Sequence, residues 1–182
     1  MRTDPLGLAL LTIARNAIEK PLGRAPRTVI SHPALATPAA TFVTLTQKGN
    51  LRGCIGSLEA YRSLAQDVAE NAFSAAFRDP RFSPLTEEEL DRTCVEVSLL
   101  EKPEPIESKD EADALAQLHP GLDGLVLTHG SRRATFLPQV WESLPEPQRF
   151  ISQLKLKAGL PAYFWDEDIA LARYGVQKWK ET

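Results

Sequence analysis

An α+β fold with a mainly antiparallel sheet and flanking helices is what this sequence predicts, on three observations. Two stretches, residues 41–57 and 125–137, place β-branched and aromatic runs on either side of turn-forming residues, the pattern of hairpins. Capped amphipathic helices stand before, between and after them. No regular alternation of strand and helix, which a parallel sheet would need, links these parts. At 182 residues and 43% hydrophobic content the chain can bury one good core, so a single domain over residues 1–182 is expected.

The elements follow in order. Asp4 offers an N-cap with Pro5 at the first helical position, and Leu10, Leu11, Ala14 and Ile18 recur at helical spacing as far as Lys20 and Pro21. Pro26, Pro33 and Pro38 make residues 23–40 an extended connector. Residues 41–47 and 51–57 form a hairpin across Lys48-Gly49-Asn50. Ser63 with Gln66 makes a capping box for a helix that Pro80 ends, and Thr86 with Glu89 repeats the spacing for a short helix over residues 86–90. A strand over residues 93–100 turns Val95, Val97 and Leu99 one way and Cys94, Glu96 and Ser98 the other. Residues 103–105 read as a loop, 110–118 as a short helix, and 125–128 with 134–137 as a second hairpin joined by residues 129–133. Pro138 starts a turn carrying Trp141, and Pro147 opens a helix with Phe150, Ile151 and Leu154 inward, Lys155 and Lys157 near its end, and Gly159 and Pro161 beyond. Residues 169–179 read as one final strand.

The run Leu51-Arg52-Gly53-Cys54-Ile55-Gly56-Ser57 is the candidate site. Strand alternation puts Arg52, Cys54 and Gly56 on one face and Leu51, Gly53 and Ile55 on the other, with the guanidinium near the sulfur. Gly53 and Gly56 remove packing, which suits a bulge, a bend or a ligand close to bare backbone.

That run, together with Ala76-Phe77-Arg78-Asp79-Pro80-Arg81-Phe82, Asp123-Gly124-Leu125, residues 134–141 (ATFLPQVW) and residues 155–160 (KLKAGL), resembles the AMMECR domain family over nearly the whole chain. The variant is similar to the A component of AmmeMemoRadiSam systems, which implies Memo-like and radical SAM proteins as partners. The resemblance implies two unequal lobes with a cleft between them and the LRGCIG run at the cleft. It supplies no reaction.

Composition sets further bounds. With 21 basic and 24 acidic residues the net charge is −3, which does not draw the molecule to nucleic acid or anionic membrane. No run reaches the ~18 apolar residues of a membrane span. Two cysteines make neither a disulfide framework nor the four thiolates of an iron–sulfur cluster, so free thiols, a cytoplasmic setting and no cofactor held by this chain are expected.

Cys54 is the candidate nucleophile, since a neighbouring cation favours thiolate, and a buried packing role is the competing reading. Arg52 either contacts an anionic substrate through its planar fork or pairs with Glu96 or Asp79. Gly53, Gly56 and Ser57 would border the site, with Asp79 and Arg81 holding the Cys54 segment and Glu96 as a candidate general base or ion-pair partner. His32, His119 and His129 lie far apart beside prolines or glycine and read as loop residues, with no metal-ligand spacing. Two functions follow. One is a cleft enzyme using Cys54 and Arg52; the other is a non-catalytic subunit that presents substrate or docks partners through the LRGCIG surface.

Overall fold

The computed structural model describes residues 4–182. In chain order its elements are α1 (Pro5–Glu19), β1 (Ala40–Gln47), β2 (Asn50–Gly56), α2 (Leu64–Phe77), β3 (Thr93–Leu100), β4 (Glu104–Pro105), α3 (Glu111–Ala116), β5 (Gly124–His129), β6 (Arg132–Phe136), α4 (Pro147–Lys157), β7 (Ala170–Tyr174) and β8 (Val176–Lys180). Short 3-10 turns cover Lys20–Leu22, Pro33–Ala36, Glu87–Arg92 and Pro138–Glu142. The fold is α+β, with two antiparallel sheets and flanking helices. The chain divides into two compact units: the described residues through Leu100 with Gln177–Thr182, and Glu101–Val176. Among the described residues, no helix is long and apolar enough to cross a membrane.

The first unit holds a sheet of order β2-β1-β3-β8. Val43, Leu45, Val95 and Val97 alternate onto one face and pack with Leu10, Ala14 and Ile18 of α1 and Val68, Ala72 and Ala75 of α2. Both helices begin as their caps demand: Asp4 accepts the Leu6 N–H at 3.1 Å, and Ser63 and Gln66 exchange hydrogen bonds in a capping box. The β1–β2 turn is two residues, Lys48 and Gly49, both at positive φ (49° and 82°), and the glycine at the second position makes that conformation accessible. Beneath β1 lies a buried polar cluster. The fully buried Asp67 carboxylate accepts from the Thr41 N–H (2.8 Å) and hydroxyl (2.6 Å), the Ser57 hydroxyl (2.7 Å), Asn71 (3.0 Å) and Arg62 (2.8 Å). Such a carboxylate stays inside only because its lone pairs are all satisfied.

The second unit holds a sheet of order β4-β7-β5-β6. Its core gathers Leu125, Leu127, Phe150, Ile151, Leu154 and Leu171, with Trp141 stacked on Phe150 at 3.8 Å and donating to the Asp123 carbonyl at 2.7 Å. Lys155 is fully buried, its ammonium 2.7 Å from Glu111 and 5.6 Å from the Trp165 ring, so it fastens α4 to α3.

Four expectations are corrected. The run 169–179 is two strands, β7 and β8, in two different sheets, with the break at Gly175, whose carbonyl accepts from the Glu101 N–H. Residues 104–105 pair with β7 and are not a loop. His129 ends β5, leaving a turn of only Gly130 and Ser131 where residues 129–133 were expected to loop. The short helix expected over residues 86–90 is a 3-10 turn over Glu87–Arg92, with Glu89 reaching back to the N–H of its N-cap Thr86 at 2.9 Å as the capping box requires.

Candidate functional site

The LRGCIG run is the edge strand of the first sheet, and a bulge divides it. Thr46 pairs with Leu51 but the adjacent Leu45 pairs with Gly53, so Arg52 is the extra residue and the alternation resets across it. Leu51 therefore does not share a face with Gly53 and Ile55, and Arg52 is not aligned with Cys54. The Arg52 guanidinium is bound elsewhere. Its Nε and Nη2 donate to the Glu89 carboxylate at 2.9 and 3.1 Å, Nη2 also donates to the Ser83 carbonyl at 2.9 Å, and Nη1 is buried without a hydrogen-bond partner among the described residues. Glu89 also accepts from Gln47 and from the Thr86 N–H. The Arg52 hydrogen bond is the main cause that lowers the Glu89 carboxyl to about 2, against the opposing pull of burial. Neither Glu96 nor Asp79 is the partner of Arg52.

The two glycines are explained by the protein itself. A Cβ on Gly53 would stand 2.1 Å from the Ala75 carbonyl oxygen of α2, and one on Gly56 would stand 2.2 Å from the Phe42 ring. Bare backbone here admits a helix and an aromatic ring. Ser57, expected at the binding surface, instead donates its hydroxyl to Asp67 in the buried cluster.

Asp79 and Arg81 do hold the Cys54 segment, through the backbone. The Cys54 N–H donates to Asp79 Oδ2 at 2.9 Å, and Arg81 Nη2 donates to the Cys54 carbonyl at 3.3 Å while gripping Asp79 at 2.7 Å. The Asp79 side chain is 2% exposed, and its bond to Arg81 holds its carboxyl well below the usual carboxylate range. This segment thus supplies the acceptor and donor that a neighbouring strand would supply, and it closes the sheet edge at that point. Phe82 lies between the two cations, 5.8 Å from the Arg52 guanidinium carbon and 5.5 Å from that of Arg81.

Cys54 and Glu96 lie on one face, the one turned away from α1 and α2, with Thr44 between them, because Thr44 of β1 pairs with Cys54 on one side and with Glu96 on the other. The Cys54 sulfur lies 3.3 Å from the Thr44 hydroxyl. Both thiols are free, and Cys94 donates to the Glu181 carbonyl at 3.3 Å. Sequence reasoning missed Thr44, although strand register would have found it, and it took Glu89 only as a capping residue.

The histidines have distinct settings. His32 Nδ1 accepts the Ala34 N–H and caps a 3-10 turn, His119 lies 3.2 Å from Asp123, and His129 Nε2 lies 3.0 Å from Asp166 Oδ2. The His129 bond is the main cause that lowers the Asp166 carboxyl from its ordinary value. Nothing local in the sequence signals that pairing, since the partners are 37 residues apart.

Comparison with known proteins agrees with this architecture. A family model described as AMMECR1 matches residues 11–179. A protein of Methanothermobacter thermautotrophicus is 39% identical over 184 residues, covering 96% of this chain and 94% of its own length. One from Thermotoga maritima is 38% identical over 144 residues, 78% of each chain. The crystal structure of an uncharacterised protein from Pyrococcus horikoshii matches with a TM-score of 0.79 at 33% identity, covering 98% of this chain and 93% of that one. With sequence, fold and matched span in agreement, the chain belongs to the AMMECR1 family.

Proposed function

We propose that this chain is a non-catalytic binding subunit, the A component of a set with Memo-like and radical SAM proteins, which presents a substrate or docks its partners through the LRGCIG surface. One observation carries the reading: both guanidiniums around the run are held by carboxylates of the same unit, Arg52 by Glu89 and Arg81 by Asp79. A guanidinium already engaged by a carboxylate has little left to offer an anionic substrate or a thiolate. Cys54 is left with the Thr44 hydroxyl, which is no general base at neutral pH. Leu51, 44% exposed, and Leu58, 49% exposed, flank this fixed polar frame and give it an apolar rim suited to a protein surface. Radical chemistry, in this reading, belongs to a partner that holds the cluster in the reducing cytoplasm.

The test is the pH profile of Cys54 alkylation in the wild type and in Arg52→Ala, combined with titration calorimetry against the Memo-like protein. The two alkylation profiles should coincide, and Leu51→Asp should weaken partner binding at least about tenfold. A profile that moves to higher pH in Arg52→Ala would replace this reading with the cleft enzyme that uses Cys54 and Arg52.

A further inference from the structure

The second unit brings three metal-ligating side chains together that no local motif announces. His129 ends β5, and Asp166 and Asp168 lie in the turn that precedes β7. One ligand atom from each, an imidazole nitrogen and two carboxylate oxygens, fall within 4.8 Å of one another. Donors that share an ion at about 2.0–2.2 Å stand roughly 3–4.4 Å apart, so small side-chain rotations would close this set over a metal.

The set is also partly pre-arranged. The His129 ring stands edge-on to Phe164, with centroids 5.2 Å apart and an interplanar angle of 80°, which restrains its plane. Asp166 Oδ1 accepts the Asp168 N–H at 2.9 Å, leaving Oδ2 toward the imidazole at 3.0 Å. A His–Asp ion pair would need no third member, yet the Asp168 carboxylate reaches the pair and has no hydrogen bond of its own among the described residues. The other histidines lack this arrangement: His119 has one carboxylate beside it, and His32 is spent on a backbone cap.

The geometry points to a divalent-metal site formed by His129, Asp166 and Asp168. An imidazole with two carboxylates selects a first-row divalent transition ion over calcium or magnesium, and three protein ligands leave the remaining positions to water or to a ligand. The ion takes the place of the His129–Asp166 hydrogen bond and recruits Asp168, drawing the turn onto the end of β5.

Tag-free protein stripped with chelator should be titrated with Mn²⁺ and followed by the loss of the free-ion paramagnetic resonance signal. Thiols compete poorly for Mn²⁺, so Cys54 and Cys94 do not confuse the count. One ion per chain is expected in the wild type. His129→Ala and Asp166→Asn should each weaken binding at least about tenfold, and His119→Ala should leave it unchanged. Asp168→Asn, at an exposed position that the fold does not need, should weaken binding severalfold and guards against a His129 variant that fails to fold. The thermal midpoint should rise with Mn²⁺ in the wild type and not in His129→Ala. No wild-type binding below 1 mM (~10⁻³ M) Mn²⁺, or wild-type affinity in a folded His129→Ala or in Asp168→Asn, overturns the site.

Discussion

The β1–β2 and β5–β6 hairpins use the same device, a two-residue turn with glycine at positive φ, yet their strands meet opposite surroundings. Along β2 the first unit presses on the backbone: the Ala75 carbonyl against Gly53, the Phe42 ring against Gly56, Asp79 and Arg81 on the two polar groups of Cys54. At the end of β5 the strand instead offers an imidazole beside two carboxylates, of which Asp168 is exposed. The contrast teaches that a run can be conspicuous in sequence because its neighbours leave no room for other residues. A ligand set drawn from distant parts of the chain can carry no local mark at all.

The strongest test of that contrast is Gly53→Ala. The added methyl collides with backbone that cannot swing aside, and the protein should lose about 3 kcal/mol, read from the urea midpoint at unchanged slope. A loss below about 1 kcal/mol would mean that the run is not sterically fixed and would return the glycines to ligand binding. Next comes Glu89→Gln. Glu89 is held at about 2 against an ordinary 4.5, so its stabilisation is complete above pH 4.5 and is lost as pH falls from there toward 2. The wild type should therefore lose about 2–3 kcal/mol more than Glu89→Gln across that interval, while the acid loss that belongs to Asp79 persists in both. Acid titration at fixed urea measures the difference. The smallest effect should come from Gly130→Ala in the second hairpin, where φ is 59° and nothing lies within 4 Å of the added Cβ. Only the left-handed backbone resists, so the loss should be about 1 kcal/mol by thermal unfolding.

Local chemistry was the legible part of this fold. Asp4-Pro5, Ser63 with Gln66 and Thr86 with Glu89 each mark an element start because a cap is a short-range hydrogen-bond problem solved by residues two or three apart. The two faces of β3 followed from period two. The bulge at Arg52 was not legible, because an unpaired residue is defined by the partner strand; that single slip moved the guanidinium from its expected place beside Cys54 to Glu89. The break at Gly175 was hidden by alternation that runs on through β7 and β8, although the two strands serve different sheets. Lys155 read as a cation near a helix end, and only α3 packing beside α4 gives its buried charge a partner in Glu111. The candidate site divided the same way. Glu96 kept the strand face that period two gives it, whereas Ser57 was drawn into a cluster assembled by α2.

The placement of β8 has a consequence for how the protein is made. The first sheet has its outer strand beyond β3 encoded after residues 101–175, and Arg15 of α1 finds its carboxylate, Glu181, only there, at 2.6 Å. As the chain leaves the ribosome, α1, β1, β2, α2 and β3 can assemble early, but β3 must wait with an unpaired edge while the second unit is synthesised. An edge kept open for that long is an invitation to pair with another nascent chain. Synthesis of residues 176–181 thus seals the first unit, and their loss would harm that unit before the second.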